Sequence, residues 1–164
     1  KMPEITAVLE NVNSFGDAED YVKLIFRGED RPTVDLEISS CCAYPGFTYH
    51  VQGSCGGLKG SNTHLDWKYF KPEEAPEQHL IKTPLADENG IPAYCSEELI
   101  WHQESWNLDS ENLFEIMTGK FYDDIYETLI QGTSLEVKPE EVRQQIAVIE
   151  ECFQQNPEYG GNEK

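Results

Sequence analysis

The residues that first suggest chemistry are four glycines near the middle of the chain, at positions 53, 56, 57 and 60. Glycine allows backbone N–H groups to approach a phosphate, and a dinucleotide-binding fingerprint reads G-x-G-x-x-G between a strand and a helix. The spacing here differs, and the alternating stretch Leu65–Tyr69, typical of a strand, follows instead of a helix. We therefore interpret the cluster as a hairpin over Phe47–Phe70, closed by a turn at Ser54–Gly57.

Cysteine and histidine around this turn raise the question of a metal site. Cys55 lies between His50 and His64 in the sequence, but four ligands at zinc-like spacing are missing. The chain has five cysteines and no C-x-x-C pair, so reduced thiols are expected. We predict no metal site.

No other motif supplies a complete set of catalytic groups. The 31 acidic residues make chance carboxylate pairs inevitable, so no pair can be nominated for acid-base catalysis. Neither a G-x-S-x-G elbow nor a Cys-His nucleophile signature is present. We predict no catalytic residue in this chain, and a structural or solvated role is the default for its four histidines.

The charge excludes several classes of partner. A formal net charge of -19 argues against nucleic acids and anionic membranes, which are bound through Lys and Arg. No apolar run approaches the roughly 20 residues of a membrane span, and the N-terminus lacks an apolar signal segment. We expect a soluble, cytoplasmic protein. Its 164 residues, 38% of them hydrophobic, are typical of a single folded domain.

The first half of the chain has the alternation of short strands. Strands are predicted over Ile5–Asn13, Asp20–Arg27 and Val34–Cys42, with turns between them and a further turn, A-Y-P-G, before the hairpin. Short strands joined by tight turns favour antiparallel pairing. One face carries Tyr21 and Ile25 beside charges, and such a mixed face is either exposed or meets a second subunit.

The second half is predicted to be loop and then helix. Residues 71–108 contain four prolines and one strand-like piece, His79–Thr83. This segment ends in the aromatic run E-E-L-I-W-H-Q-E-S-W, which either covers a cleft as a flap or packs Trp101 and Trp106 onto the sheet. Both alternatives stay open.

Two helices are predicted to follow. Asp109 and Ser110 are good N-cap residues before acidic Glu111; Gly119 divides a turn at Leu113–Met117 from a helix that stops at Gly132. Pro139 opens a second helix that extends to Phe153. Both have an apolar stripe, which predicts an α+β fold: an open, predominantly antiparallel β-sheet with helices packed on one face.

The stretch F-Y-D-D-I-Y-E-T-L-I-Q-G-T-S-L-E-V-K-P-E-E-V-R-Q-Q-I-A-V-I-E-E-C, Phe121–Cys152, is the most specific part of the sequence. It resembles the end of the C-terminal domain in the glucose-fructose oxidoreductase and inositol dehydrogenase (Gfo/Idh/MocA) family. V-Q-G-S-C-G-G-L at Val51–Leu58, preceded by E-D-Y-V-K-L-I-F, is similar to that family's strand and glycine turn. The family has threonine where Lys138 stands, which questions the capping box with Glu141.

The resemblance implies a role for the whole chain. Residues 1–164 would form a single C-terminal substrate-side and oligomerisation domain, with the N-terminal Rossmann domain absent from this chain. No cofactor is then expected here, although NAD or NADP is implied for the full-length protein. The implied partners are a sugar, cyclitol or related polyol substrate, the missing Rossmann domain, and a second copy through the sheet face. The isolated chain is predicted to be inactive.

Two substrate-binding candidates follow from the resemblance. The family's substrate-contacting aromatic loop corresponds to C-C-A-Y-P-G, which makes Tyr44 the first candidate; packing against Pro45 is the alternative. His102, in the aromatic run, is the second candidate. The competing hypothesis for the whole chain is a free-standing, non-catalytic α+β module that binds a sugar or a protein.

Overall fold

The computed structural model describes residues 2–80, 82–92, 98–109 and 112–160. Within these ranges the elements are strands, two α-helices and a 3-10 helix at Pro72–Glu74. The strands are β1 Glu4–Glu10, β2 Tyr21–Arg27, β3 Val34–Ser39, β4 Tyr49–Gly53, β5 Gly56–Gly60, β6 His64–Tyr69 and β7 His102–Asn107. The helices are α1 Leu113–Gln131 and α2 Pro139–Gln155.

The predicted α+β class and the antiparallel pairing are confirmed. The described strands form two open sheets, in the orders β1-β2-β3 and β4-β5-β6-β7, and every neighbouring pair is antiparallel. The first sheet belongs to a compact unit of Lys1–Pro45 and Thr118–Lys164, and the second sheet to a unit of Gly46–Met117. The prediction of a single domain over 1–164 stays a prediction.

The core of the first unit lies between β1, β2 and α2. Alternation along β1 places Ile5, Ala7 and Leu9 on one face, where the antiparallel register sets Ala7 opposite Leu24 of β2. These four side chains and Cys152 of α2 are the buried residues of this core. Since burying an apolar side chain releases water from its surface, this contact between β1 and α2 contributes the main hydrophobic stabilisation of the unit.

Side chains at the end of α2 satisfy the free edge of β1. Gln155 accepts a hydrogen bond from the Ala7 N–H at 2.8 Å and donates to the Ile5 carbonyl at 2.8 Å. Asn156 repeats this with the Leu9 N–H at 3.3 Å and the Ala7 carbonyl at 3.2 Å. An unpaired strand edge exposes donors and acceptors that another chain can pair with, so these two amides act in place of a neighbouring strand.

The strand predicted over Ile5–Asn13 ends early, at Glu10. The Asp20 carboxylate captures the backbone N–H groups of Val12 and Asn13, both at 2.8 Å, and of Ser14 at 2.6 Å. These hydrogen bonds, the one from Val12 first, lower the pKa of Asp20. The chain therefore leaves the sheet because a local side chain offers its N–H groups a better-placed acceptor.

Helix α2 begins at Pro139, as predicted, and Lys138 is its N-cap. Glu141 accepts a hydrogen bond from the Lys138 N–H at 2.9 Å, which is one half of a capping box. An ammonium group has no lone pair to accept the other hydrogen bond. Lys138 therefore lacks the hydrogen bond that a capping side chain would accept, and the helix forms nonetheless.

Helix α1 differs from its prediction in two ways. It is continuous from Leu113 to Gln131, so Gly119 does not break it. Its cap is Asn112, whose side-chain oxygen accepts from the Glu115 N–H at 3.2 Å, rather than the predicted Asp109 and Ser110. Ser110 and Glu111 lie outside the described residues. The predicted stop at Gly132 has the positive φ of 74° that suits a helix C-terminus.

The apolar stripe of α1 is largely exposed, unlike the core face of α2. Phe121 and Leu129 keep 60% and 76% of their accessible surface. Within the first unit, α2 is the described helix that packs on the sheet, through β1. Periodicity thus identified the apolar side of α1 but not a surface that buries it.

In the second unit, the predicted hairpin is a four-stranded meander. The turn closing β4 and β5 is Ser54–Cys55, so Gly56 and Gly57 belong to β5 and not to the predicted turn. A Cβ at Gly56 would collide with the Lys68 carbonyl of β6, and one at Gly60, whose φ is 154°, with the His64 carbonyl. These glycines serve the close approach of two strands.

The segment over 71–108 is less irregular than predicted. Its aromatic end is strand β7, which pairs with β6 and sets His102 opposite Tyr69. The described residues of His79–Thr83 form no strand, and Ile81 lies outside the described residues. Strand pairing explains why the aromatic end of this segment is a strand. Its mixed composition resembles that of a flap, but β6 offers an edge with which these residues pair.

Neither of the α-helices that the structure describes is long and apolar enough to cross a membrane.

We expect Gln155→Ala to lower the free energy of unfolding by roughly 1–3 kcal/mol, since it leaves the Ile5 carbonyl and the Ala7 N–H without their partner. Urea denaturation measures this change. Gln154→Ala is the matched control, because Gln154 is exposed on the same helical turn. Equal stabilities for the two variants would contradict the role of Gln155 at this edge.

Candidate functional site

The sheet β4–β7 has two faces of different chemistry. In an antiparallel sheet, residues directly opposite each other share a face. One face is rich in aromatic and aliphatic residues, as in the row Val51, Leu58 and Trp67. The other face, here called the polar face, comprises His50, Gln52, Gly57, Lys59, His64, Asp66, Lys68, Gln103, Ser105 and Asn107.

A concavity of about 780 Å³ lies over the polar face. Ligand sites in proteins usually measure roughly 300–1,000 Å³, so its size suits a small molecule. Across its floor runs a row from Gln52 through Gly57 and Lys68 to Gln103, one residue from each strand. Gly57 has no side chain, which leaves the middle of this row open between two amides and an ammonium group.

Two lysines of the concavity rest on aromatic rings. The Lys68 Nζ lies 4.6 Å from the centroid of Trp101, and the Lys59 Nζ lies 5.1 Å from that of Phe47. These distances are those of cation–π contacts, which hold an ammonium group in place without neutralising it. In the described part of the chain, neither lysine takes part in an ion pair.

The acidic residue of the polar face is already engaged. His64 places Nδ1 at 2.6 Å from the Asn107 side-chain oxygen and Nε2 at 3.0 Å from an Asp66 carboxylate oxygen. Both neighbours are acceptors, Asn107 having the larger effect, and they raise the pKa of His64 because the imidazolium can donate from both nitrogens. When His64 is protonated, it offsets the negative charge of Asp66.

The predicted site residue His102 faces the other side of the sheet. Its Nε2 lies 2.6 Å from a Glu74 carboxylate oxygen, and its ring stacks on Tyr69 with centroids 5.2 Å apart. The hydrogen bond to His102 lowers the pKa of Glu74, with Lys71 adding to the effect. Lys71 lies 3.2 Å from the same carboxylate, which raises the pKa of its ammonium group.

Glu104 extends this cluster by accepting a hydrogen bond from the Tyr69 hydroxyl at 3.1 Å, which raises the pKa of Tyr69. Both the ring face and the Nε2 of His102 thus have protein partners. These contacts fasten the 3-10 helix Pro72–Glu74 to the end of β7.

The other predicted site residue, Tyr44, belongs to the first unit. Its side chain keeps 93% of its accessible surface, and its hydroxyl has no hydrogen-bond partner among the described residues. The proposed packing of Tyr44 against Pro45 does not bury it. An exposed phenol of this kind can donate to and accept from a hydroxyl-bearing ligand.

The metal-binding combination weighed from the sequence is not assembled. Throughout residues 2–80, 82–92, 98–109 and 112–160, no group of three or more His, Cys, Asp and Glu side chains is placed to hold a metal ion. His50 and His64 lie on the polar face, whereas Cys55 occupies the turn between β4 and β5.

Sequence reasoning missed Lys59, Lys68 and Gln103 as members of one surface. The signal was present in the alternation of β4 and β6, which places polar residues at every second position. The register is not visible in the sequence, because β5 carries a single large apolar residue, Leu58, and the predicted turn Ser54–Gly57 includes its first two residues. Without β5, Lys59 and Lys68 have no common face.

Comparison with known proteins places the fold. No protein-family model and no curated protein sequence matches the chain. Among solved structures, the chain is similar to the "putative oxidoreductase yvaA" of Bacillus subtilis, with a TM-score of 0.54 and 15% identity over 96% of this chain. The fold is therefore shared with a protein described as an oxidoreductase.

A second solved structure, a "putative oxidoreductase" from Bacteroides fragilis, covers 96% of the chain at 18% identity with a TM-score of 0.46. The chain spans 45% of the first of these proteins and 44% of the second. It therefore matches less than half the length of either.

We expect His102→Phe, which retains an aromatic ring on Tyr69, to raise the pKa of Glu74 towards the ordinary carboxyl value of about 4.3. A lowered pKa stabilises the fold above the ordinary value, and this contribution is lost as pH falls through the folded-state pKa. The variant should thus lose less stability on acidification. Carboxyl NMR titration of Glu74 measures the shift, with His79→Phe as the control; an unmoved pKa would refute the assigned cause.

Proposed function

We propose that this chain is the substrate-side and oligomerisation domain of an NAD(P)-dependent oxidoreductase that acts on a sugar, cyclitol or related polyol. The observation that carries the proposal is the likeness to yvaA, a protein described as a "putative oxidoreductase", over 96% of this chain. The resemblance of Phe121–Cys152 to the Gfo/Idh/MocA family supports it from the sequence side. Family members have such a domain beside a Rossmann domain that binds NAD or NADP.

The chain spans 45% of yvaA. We propose that the whole protein also has the Rossmann domain that the family resemblance implies, and that this domain binds the nicotinamide cofactor. Hydride transfer would take place at that cofactor, and this chain would position the polyol beside it. We propose a cytoplasmic location for the whole protein, where the nicotinamide cofactors are available.

Tyr44 is the proposed substrate contact with the clearest chemical capacity. Its exposed hydroxyl can exchange hydrogen bonds with a polyol, and its ring can pack on the C–H face of a sugar. His102 is the weaker of the two proposed contacts, because Glu74 and Tyr69 already occupy its Nε2 and its ring. A substrate contact through His102 would have to use its remaining nitrogen.

A second candidate function is a free-standing, non-catalytic binding module. The observation that favours it is the concavity over the polar face of β4–β7, which is formed within one unit of this chain. The two candidates differ in the protein that contains the chain. An upstream reading frame with a strand-G-x-G-x-x-G-helix unit favours the oxidoreductase, and a frame without one favours the module.

We expect the 164-residue chain alone to leave the nicotinamide absorbance unchanged when it is mixed with NAD or NADP and a panel of polyols. The longer protein that includes the proposed Rossmann domain, assayed in parallel with the same panel, should oxidise at least one of them. Turnover by the isolated chain would disprove this division of labour.

In the longer protein, Tyr44→Phe should lower kcat/KM for the polyol by about tenfold, corresponding to the loss of one hydrogen bond worth roughly 1.4 kcal/mol. Thermal stability should stay unchanged, because the Tyr44 hydroxyl has no partner among the described residues. Tyr49→Phe serves as a control, since its hydroxyl is bound to Asn62 at 2.8 Å. Kinetics equal to those of the unaltered protein would remove Tyr44 from the site.

The proposed oligomer interface is the second face of sheet β1–β3. On this face, Lys23 lies 2.7 Å from Asp35 and 3.1 Å from Glu37, and the Tyr21 hydroxyl lies 3.4 Å from Glu37. Lys23 thus offsets part of the negative charge of these two acids, which lowers the cost of bringing a second copy against Tyr21 and Ile25. A symmetric pair would place this same patch on both partners.

Ile25→Glu should shift the protein from oligomer to monomer, because it adds a carboxylate to a face that two copies would share. Light scattering over a range of concentrations measures the mass. Ile38→Glu, which makes the same change at a 62% exposed position on the opposite face, should leave the mass unaltered. A monomer at every concentration before substitution would count against the interface.

A further inference from the structure

We propose that the concavity over the polar face of β4–β7 binds a small hydroxylated carboxylate of the sugar-acid type, such as a hexuronate. In this arrangement Lys68 binds the carboxylate, and Lys59 adds a positive charge to the same face. The amides of Gln52 and Gln103 bind hydroxyl groups above Gly57. The proposal stands on the geometry of this one unit. It does not rest on the oxidoreductase function proposed above.

The two lysines lie on one face of the sheet, but each rests on a different ring. Lys59 pairs with Asp66 and Gly57 pairs with Lys68, so the lysines are diagonal neighbours across β5 and β6. The Lys59 ammonium group lies on Phe47, before β4, and that of Lys68 lies on Trp101, before β7. Lys68, which shares its row with Gln52 and Gln103, is therefore the direct donor to the carboxylate.

The aromatic contacts keep both lysines available to a ligand. Phe47 and Trp101 hold the ammonium groups at 5.1 and 4.6 Å but accept no conventional hydrogen bond from them. The N–H donors therefore remain free for an anion. Because the rings restrict the side chains before binding, less rotamer entropy is lost when a ligand orders them.

Local charge favours an anion despite the acidity of the whole chain. The formal net charge is -19, yet Asp66, the carboxylate on this face, lies 3.0 Å from the His64 Nε2. Glu104, which also borders the concavity, pairs with Trp67 on the opposite face of the sheet, where it accepts a hydrogen bond from Tyr69. More distant carboxylates act weakly, since the Debye length at physiological ionic strength is about 8 Å. Lys59 and Lys68 are the two lysines of the polar face, and neither forms an ion pair with a carboxylate of the described residues.

The neutral lining fits the hydroxylated part of a sugar acid. Each glutamine amide offers both donors and an acceptor, which matches the donor and acceptor character of a hydroxyl group. Gly57, directly between Gln52 and Lys68, leaves space where any other residue would project a side chain. A hexuronate places a carboxylate at one end and several hydroxyls along a ring, as the row from Lys68 to Gln52 requires.

The test is a titration of the 164-residue chain followed by 1H–15N NMR, with sodium D-glucuronate as the probe. We expect saturable shifts at the amides of Gln52, Gly57 and Gln103. Methyl glucoside, a neutral sugar of the same ring type, should bind at least about tenfold more weakly, the factor of one charge-assisted hydrogen bond. Shifts that do not saturate, or equal binding of the two sugars, would overturn the proposal.

Lysine variants test which positive charges glucuronate binding requires. Lys68→Gln should weaken glucuronate binding by about tenfold or more, and Lys59→Gln should weaken it by less, while Lys82→Gln, an exposed lysine outside the concavity, should not change it. Equal affinities in all three variants would refute the assignment. Concentration-dependent shifts at the same amides without any sugar would instead identify a second copy of the chain as the occupant. The wild-type titration decides the matter if a variant fails to fold.

Discussion

The first unit depends on one interaction, the closure of the β1 edge by the amide side chains of Gln155 and Asn156. Gln155 and Ala7 are 148 residues apart in the sequence, so these hydrogen bonds join the two ends of the unit. They also fix the position of α2 along the strand, which sets Cys152 over the apolar face of β1. Hydrophobic burial has no preferred direction, whereas amide hydrogen bonds are directional. Together they select one docking position for the helix.

In the second unit the equivalent constraint is steric. Gly56 and Gly60, at the two ends of β5, allow the backbone of β6 to approach where a Cβ would collide with it. This approach sets the register that brings Gly57 opposite Lys68 and Lys59 opposite Asp66. A residue type chosen for backbone space therefore determines which side chains share the polar face. The chemistry of that face follows from the register, because a slip of one residue would turn its side chains to the other side.

Sequence reasoning succeeded where the signal was local and periodic. The alternation of β2, the proline that begins α2 and the glycine that ends α1 each describe a structure that neighbouring residues dictate. It failed where a contact distant in sequence decided the outcome. Strand β7 forms because β6 provides a pairing edge, and His102 acquires Glu74 as a partner across a separation of 28 residues. The residue type of His102 predicts which hydrogen bonds it can form, but its neighbours determine how many of these are left for a ligand.

The use of the few cations explains why the polar face stands out. With 12 basic against 31 acidic residues, most carboxylates cannot have a basic residue of their own, and Lys23 and Lys71 lie where they relieve specific repulsions. Lys23 lies between Asp35 and Glu37, two acids on the same face of β3. Lys71 forms an ion pair with Glu74, which also contacts His102. Exposed pairs of this kind contribute little stability, about 0–1 kcal/mol each, so their main effect is to neutralise neighbouring carboxylates. Among the described residues neither Lys59 nor Lys68 forms an ion pair, and the rings that hold them keep their charge available. Two basic residues used in this way, on adjacent strands of an acidic protein, are better explained by recognition of an anion than by stability of the sheet.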